Sequence, residues 1–430
     1  MSTRIIIIGA GTGGLCLAQG LKLCGLSVLV CERDKHPTDR LQGYRLHIST
    51  EGSQALENCL PPHLFQMFLE SAAKPTIAVS FLDSQLRTLL TIPVDPGQPN
   101  APREVPISRI TLRKLLLNDL EGIVRFGRKF VFYEELQDGR LVVHFEDGSQ
   151  AECDVLVGAD GASSGVRKQL LPEAKRLETG IVTITGKAFL SDRLRSTTPD
   201  AFFRGPTLIL GPKGQFLFGS AVEFPARDNR STSDSDSKAS ASSEDLLFGE
   251  RVEYAMWGFS ARQEVVGDPE EVQHCSGQEL KSKVLALTRG WHPQLRAVID
   301  AAAPETISAF AIKSAVRIKP WATRKVTLLG DALHNMTPYR GMGANMALVD
   351  SDALRRTLLS VNRAERELIP ALHDYEAEMI ERGFRAVEAS LNQMKQVHNE
   401  SSVANVFRFL FFRAVDRLPV RIKKSILNHR

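Results

Sequence analysis

Residues 4–32 read RIIIIGAGTGGLCLAQGLKLCGLSVLVCE, and the fold turns on how that run is parsed. Ile5–Ile8 is a short β-branched block closed by glycine, so it reads as a buried strand. Gly9, Gly11 and Gly14 supply G-x-G-x-x-G, and Leu15 to Leu23 continues with helical spacing. Val28–Cys31 is a second strand, and Glu32 ends it eighteen residues past Gly14. Such a unit binds a dinucleotide: glycines for the turn and close approach, a helix N-terminus for the pyrophosphate, an acid for a ribose. The glycine pattern alone is weak, but strand before, helix after and acid at this distance make it specific. One such unit is evident in the 430 residues, so one dinucleotide is held firmly.

Residues 326–350, VTLLGDALHNMTPYRGMGANMALVD, carry the second signal. Val326–Leu329 reads as a buried strand that Gly330 and Asp331 end. Pro338, Gly341 and Gly343 then make a segment too turn-rich for helix, and helical spacing begins at Ala344. A strand thus delivers an aspartate to its tip, and a glycine-lined loop feeds a helix N-terminus. That end offers free N–H groups and partial positive charge to an anion. Glycines also let backbone lie against a large planar ligand, where a Cβ would collide.

Further strands and helices follow, some of them in a second domain. Thr76 to Pro93 alternates as strand, Val105 to Leu120 reads as one amphipathic helix, and Val124 to Val157 holds several strands. Among the last is a hairpin across Glu146–Ser149. Strands recur over Thr179–Phe224 and Arg251–Glu264, then helices over 277–302, 352–361 and 369–397. Residues 227–245, RDNRSTSDSDSKASASSED, lack the apolar side chains a core needs and read as a mobile surface loop. The tail sets Val406, Phe409, Leu410 and Phe412 against Arg408, Arg413, Arg417, Lys423 and Lys424. Two readings stay open for it: a helix packed on the first domain or on a second subunit, or a weakly membrane-bound surface helix.

Composition is that of a globular chain, 43% hydrophobic and 24% charged, with formal net charge +4 and no dense basic tract to favour nucleic acid. Six cysteines without C-x-x-C or metal spacing read as reduced core thiols in a cytoplasmic protein, and no metal site is expected. No apolar run approaches a membrane span.

The second stretch resembles the ribityl-binding motif of the single-component FAD-dependent monooxygenases, typified by aromatic hydroxylases. Its pattern is met by Gly330, Asp331, Ala332, His334, Pro338, Gly341, Gly343, Asn345 and Asp350. Residues 154–167, DVLVGADGASSGVR, resemble a second motif of the family, and Arg109 with Leu112 and Leu116 an Arg-x-x-Leu-x-x-x-Leu helix whose arginine lies against FAD. Arg113 is the rival on that face. The resemblance implies tightly bound FAD held by Gly9, Gly11, Gly14, Glu32, Arg33, Gly43, Arg109, Asp160, Gly161, Asp331, Pro338 and Gly341, with the amides of Gly343, Ala344 and Asn345 at the flavin N1/C2 edge. Arg40, Arg45 and His47 are further polar candidates near the flavin, and His47, Arg204 and Tyr254 are candidates on the substrate side. No catalytic base is nameable. Tyr339-Arg340 is bulkier than the family's usual pair, which leaves the pocket shape beside the flavin open.

The expected fold is α/β: a Rossmann-like FAD domain (1–75, 104–172, 322–368), an α+β substrate domain on a mostly antiparallel sheet (76–103, 173–321), and C-terminal helices (369–430). The resemblance implies oxygenation by NADPH or NADH and O2 through a C4a-hydroperoxyflavin. A small apolar or aromatic molecule would be hydroxylated or epoxidised, in secondary metabolism. A flavin halogenase is the first alternative, but its Trp-x-Trp-x-Ile-Pro signature is absent, since Trp257, Trp291 and Trp321 stand apart. A non-enzymatic FAD sensor is the second. Nothing in the sequence fixes an oligomeric state.

Overall fold

The structure, a computed structural model, describes residues 3–37, 39, 45–94, 104–225, 252–419 and 423. Arg40, Gly43 and the serine-rich stretch 227–245 lie outside the described residues. Contacts divide the chain into two units built from interleaved segments: Met1–Ala72, Pro102–Leu177 and Lys313–Asn392 in one, Ala73–Ala101, Glu178–Ile312 and Gln393–Arg430 in the other.

The first unit is doubly wound. Its parallel sheet runs Val326–Leu328, Val155–Gly158, Arg4–Ile8, Ser27–Cys31, Val124–Arg125. Strands buried on both faces need continuous apolar side chains rather than alternation, which is why Ile5–Ile8 and Val155–Val157 carry them. Helix Thr12–Leu23 and helix Gly343–Asn362 close together because Gly13 has no side chain: a Cβ there would stand 2.7 Å from Leu329 Cδ1 and 3.1 Å from Ala347 Cβ. Ser351 Oγ donates to the Gly13 carbonyl at 2.8 Å and fixes the pair. Helix Leu368–Val397 covers strand Val326–Leu328, its buried Tyr375 hydroxyl donating to the Leu328 carbonyl at 2.9 Å.

The segment read as one amphipathic helix over Val105–Leu120 is divided in the structure. Val105–Ser108 is a strand, paired antiparallel with Arg45–Ile48, and the helix occupies only Arg109–Leu117. Pro106 lacks an N–H, and Val105 and Ile107 fit a pleated surface better than a helix turn. The hairpin across Glu146–Ser149 forms as read, with Gly148 at φ +79°.

The second unit centres on a seven-stranded sheet ordered Ser308–Ala315, Arg176–Phe189, Tyr254–Arg262, Phe216–Val222, Thr207–Leu210, Ala78–Asp83, Thr88–Pro93. It is mostly antiparallel; Thr207–Leu210 runs parallel to Ala78–Asp83. Val182, Ile184, Trp257 and Phe259 pack against Leu280, Val284, Leu295 and Val298 of the helices Gly277–Leu287 and Pro293–Asp300. Residues 393–430 belong to this unit rather than to a separate region with 369–392. The tail helix Ser402–Asp416 packs on this sheet: Phe412 meets Phe81 at 5.2 Å, and Asp416 Oδ1 accepts the Thr91 N–H at 3.0 Å.

A tight contact in this unit gives a direct test. A Cβ at Gly219 would lie 1.9 Å from Cζ of Phe202, which is itself buried. Gly219→Ala should therefore cost about 1–3 kcal/mol, as overpacking does. Calorimetric melting of Gly219→Ala, with and without Phe202→Leu to relieve the clash, checks it; equal melting temperatures for all three proteins would refute the contact.

Candidate active site

The cavity and the motifs around it lie within the first unit. A cavity of about 370 Å³ opens at the C-terminal ends of Arg4–Ile8 and Ser27–Cys31, where a doubly wound sheet binds ligands. The three glycines of the first turn serve three different needs. Gly9, at φ +110°, would place a Cβ 2.4 Å from the Ala159 carbonyl oxygen. Gly14 would place one 2.1 Å from the Gly9 oxygen. Gly11 faces open space, with no atom within 4 Å of the position its Cβ would take.

Helix Thr12–Leu23 starts from Gly11 with no side-chain cap, and Leu15 N–H is the first to find an intrahelical acceptor, at Gly11. The amides of Thr12, Gly13 and Gly14 are thus left for a ligand. Glu32 lines the same cavity; its Oε2 accepts the Ala10 N–H at 2.7 Å and its Oε1 the Asp34 N–H at 3.0 Å. Each carboxylate oxygen keeps a further lone pair for a sugar hydroxyl.

The cavity's other walls come from 159–165 and from helix Arg109–Leu117. Asp160 Oδ2 accepts the N–H groups of Gly165 and Val166 at 2.7 and 3.3 Å, but its buried Oδ1 has no partner. Desolvation raises this carboxyl above the usual range, with Ser164 pulling the other way. An orphaned acceptor at a cavity wall fits a ligand donor. Gly161, at φ +76°, leaves the wall beside it open.

Arg109 and Arg113 divide the work. Arg113 buttresses the turn: its Nε donates to the Ala10 carbonyl at 3.1 Å and its Nη1 to the Pro37 carbonyl at 2.5 Å. Arg109 is exposed in the cavity and makes no hydrogen bond or ion pair among the described residues. Arg33 is likewise exposed at the cavity wall.

Arg109 also links the cavity to the second motif. Asp331 begins the short helix Asp331–His334, and burial raises its carboxyl while the charges of His334 and then Arg109 oppose the rise. Its surface is solvent-accessible, so it lies in a recess: dense protein around it, open towards solvent. Gly343 lets the next helix start beside it, with a Cβ position 3.7 Å from Asp331 Oδ1. That helix, Gly343–Asn362, also lacks a side-chain cap, and Met346 N–H is its first to bond, to Met342. The amides of Gly343, Ala344 and Asn345 therefore remain available.

The Asn345 side chain is spent within the protein. Its Oδ1 accepts the Ser49 N–H at 2.8 Å and its Nδ2 donates to the His47 carbonyl at 2.8 Å, so only its main chain can serve a ligand. Pro338 opens a 3-10 turn through Arg340, and Gly341 follows at φ +62°. Arg340 points to solvent.

His47 pairs with Glu104 at 3.2 Å, which holds the Glu104 carboxyl below its usual range, and Arg45 lies two residues before it on the same strand. Arg204 and Tyr254 belong to the other unit and do not line this cavity. Arg204 is exposed at the end of helix Asp200–Arg204, and the buried Tyr254 lies under Lys187 Nζ at 4.8 Å. Among the described residues no group of three or more His, Cys, Asp or Glu could hold a metal ion, and no helix is long and apolar enough to cross a membrane. All six cysteines are free; burial pushes the Cys31 and Cys153 thiols up to about 12.

Sequence reasoning gave His334 and Asp350 as motif matches without a role, and it missed Arg382 altogether. In the structure they form one buried cluster: Asp350 Oδ2 accepts from His334 Nε2 at 2.6 Å, and Oδ1 from Arg382 Nη2 at 2.8 Å. Arg382 lies far along the chain on helix Leu368–Val397, where no local pattern marks it.

Comparison with known proteins agrees with this geometry. The model of the FAD binding domain family matches residues 2–199 and 265–390. The dual O-methyltransferase/FAD-dependent monooxygenase of Cercospora beticola is 29% identical over 424 residues, covering 95% of this chain and 48% of that protein. The chain thus spans about half the length of such curated relatives. An FAD-dependent monooxygenase of Trichoderma harzianum is 28% identical over 90% of this chain and 92% of its own. A crystal structure assigned as an FAD-containing monooxygenase of Photorhabdus luminescens superposes with TM-score 0.80 at 32% identity, covering 93% of this chain and all of that one. The chain therefore belongs to the FAD-binding family of flavoprotein monooxygenases.

Proposed function

We propose that this protein is a monooxygenase that uses FAD, a nicotinamide nucleotide and O2 to hydroxylate or epoxidise an apolar or aromatic small molecule. The observation that carries the reading is the pairing of two uncapped helix starts, at Thr12 and at Gly343, with Arg109, which lines the cavity and whose charge acts on Asp331 of the second motif. FAD is an anion at its pyrophosphate, and its reduced ring gathers negative charge on the N1/C2 edge. The first helix start suits the pyrophosphate and the second suits that edge. Glu32 would hold the adenosine ribose, Asp331 the ribityl hydroxyls, and Asp160 with Gly161 a further part of the cofactor. Names of relatives as FAD-dependent monooxygenases support the reaction class over a halogenase or a sensor.

Bound FAD supplies the electron transfer and oxygen activation. The chain's own task is to hold the ring, keep water from it and orient the substrate. Fixed amides at the start of Gly343–Asn362 stabilise negative charge without reorganising, which is where protein electrostatics contribute most.

The test is purification followed by a visible spectrum, then oxidation of NADH and of NADPH with and without a library of phenols and alkenes in labelled O2. The expected result is a yellow protein whose nucleotide oxidation is stimulated by substrate, with labelled oxygen in the product. Asp331→Ala should be purified largely colourless and rebind FAD at least tenfold more weakly. A yellow wild type with no stimulated turnover would favour the sensor, and a chlorinated product the halogenase.

A further inference from the structure

Strand Val326–Leu328 ends in a turn that glycine alone adopts without strain. Gly330 sits at φ +60°, ψ −140°, and Asp331 follows it at once. Something must hold this turn if Asp331 is to point consistently. Asp350 does so from inside the protein: its Oδ2 accepts both the Gly330 N–H at 3.0 Å and His334 Nε2 at 2.6 Å. One carboxylate oxygen thus pins the residue before Asp331 and the residue three after it.

We propose that Arg382 is a positioning residue for the cofactor site, acting through Asp350 on the Gly330–His334 turn that aims Asp331. Arg382 Nη2 donates to Asp350 Oδ1 at 2.8 Å and completes the coordination of a carboxylate that is wholly buried. A buried carboxylate is tolerable only when paired and hydrogen-bonded on both oxygens. The balance of forces agrees: burial would raise the Asp350 carboxyl, but His334 and Arg382 together hold it below its usual range. Burial would likewise lower His334, and Asp350 outweighs it.

The next residue along the helix makes the same contact sterically. A Cβ at Gly383 would stand 2.4 Å from Cδ2 and 2.6 Å from Cγ of the His334 ring, so a glycine there lets the helix press on the imidazole. Consecutive residues of Leu368–Val397 therefore supply charge to Asp350 and room to His334. Without Arg382, Oδ1 is left buried and unpaired. The carboxylate then gains by turning towards other donors and loosening its hold on Gly330.

This inference rests on the proposed role of Asp331 in holding FAD. The experiment is a fluorescence titration of the deflavinated protein with FAD for wild type, Arg382→Met, Arg382→Gln, Arg382→Lys, Asp331→Ala and the double variant Arg382→Met/Asp331→Ala. Melting temperatures of each apoprotein are measured alongside. Arg382→Met should raise the FAD Kd about tenfold, Arg382→Gln somewhat less, and Arg382→Lys should recover part of the loss. In the Asp331→Ala background the Arg382→Met penalty should vanish, because coupled residues are not additive. A penalty of equal size in both backgrounds, or a fallen melting temperature with unchanged Kd, would show Arg382 to be merely structural and overturn the proposal. An Asp331→Ala variant that binds FAD as tightly as wild type would overturn the reading of Asp331 itself, and the positioning role with it.

Discussion

Gly14→Ala should yield a protein that melts several degrees lower and is purified without flavin, although the substitution adds a better helix former. Propensity alone would stabilise by about 1 kcal/mol. Against it stands the Gly9 carbonyl, 2.1 Å from the new Cβ, and the Ala159 methyl at 3.2 Å. The oxygen is backbone, held because the Ala10 N–H of the same peptide plane donates to Glu32 Oε2 at 2.7 Å, so it cannot turn aside as a side chain would. The helix cannot retreat either, since Leu15, Cys16, Leu17 and Ala18 are all wholly buried. Overpacking of this kind costs about 1–3 kcal/mol or more, and the clash therefore wins.

Gly11→Ala is the matched control. Its Cβ would meet nothing within 4 Å, so the apoprotein should melt as wild type does. It should still bind FAD poorly, because the methyl would stand where the ligand approaches. Circular-dichroism melts and absorbance near the flavin band separate the two effects. Equal melting of both variants would contradict the packing described here.

The second large effect concerns Glu376, on the helix that covers strand Val326–Leu328. It is 3% exposed, and burial raises its carboxyl from the ordinary 4.5 to about 7. Thr323 Oγ1 donates to Oε2 at 2.7 Å, while Thr327 and Trp321 lower the acid a little without making a hydrogen bond of good geometry to Oε1. An acid whose folded pKa is raised binds more protons folded than unfolded, so stability falls as pH rises between about 4.5 and 7. Two and a half units correspond to a cost on the order of 3 kcal/mol once the group is ionised.

Glu376→Gln keeps an acceptor for Thr323 and removes the charge. It should stabilise the protein by a few kcal/mol, roughly 3, at pH 8, and by almost nothing at pH 4. Urea unfolding across that range is the measurement. A variant that gains nothing at pH 8 would mean that Glu376 ionises as freely folded as unfolded.

How much of this was legible in the sequence differs from element to element. The dinucleotide turn was readable because its requirements are local: three glycines, a strand, a helix and an acid within about thirty residues. Helix Gly343–Asn362 was readable for the same reason. Val105–Ser108 was not, because a four-residue strand owes its existence to Arg45–Ile48, sixty residues earlier. The helices Asp192–Thr197 and Asp200–Arg204 were hidden among strand formers for want of length. Arg113 and Arg109 shared one pattern in sequence, and among the described residues the carbonyls of Ala10 and Pro37 single out Arg113 as the buttress. Arg382 and Glu376 had no signature at all, since burial and long-range partners give them their meaning.

The order of strands within the two sheets bears on how the chain emerges from the ribosome. The parallel sheet opens with Arg4–Ile8 but cannot be completed until Val326–Leu328 has been made. The larger sheet seats Ala78–Asp83 against Thr207–Leu210, and its other edge waits for Ser308–Ala315. Neither half is laid down in one stretch of chain, because the first unit is interrupted by residues 73–101 and 178–312 and the second by 102–177 and 313–392. Assembly must therefore be slow, as non-local pairing entails. A polypeptide arrested near residue 300 should expose apolar strand edges and bind chaperones rather than reach a native half.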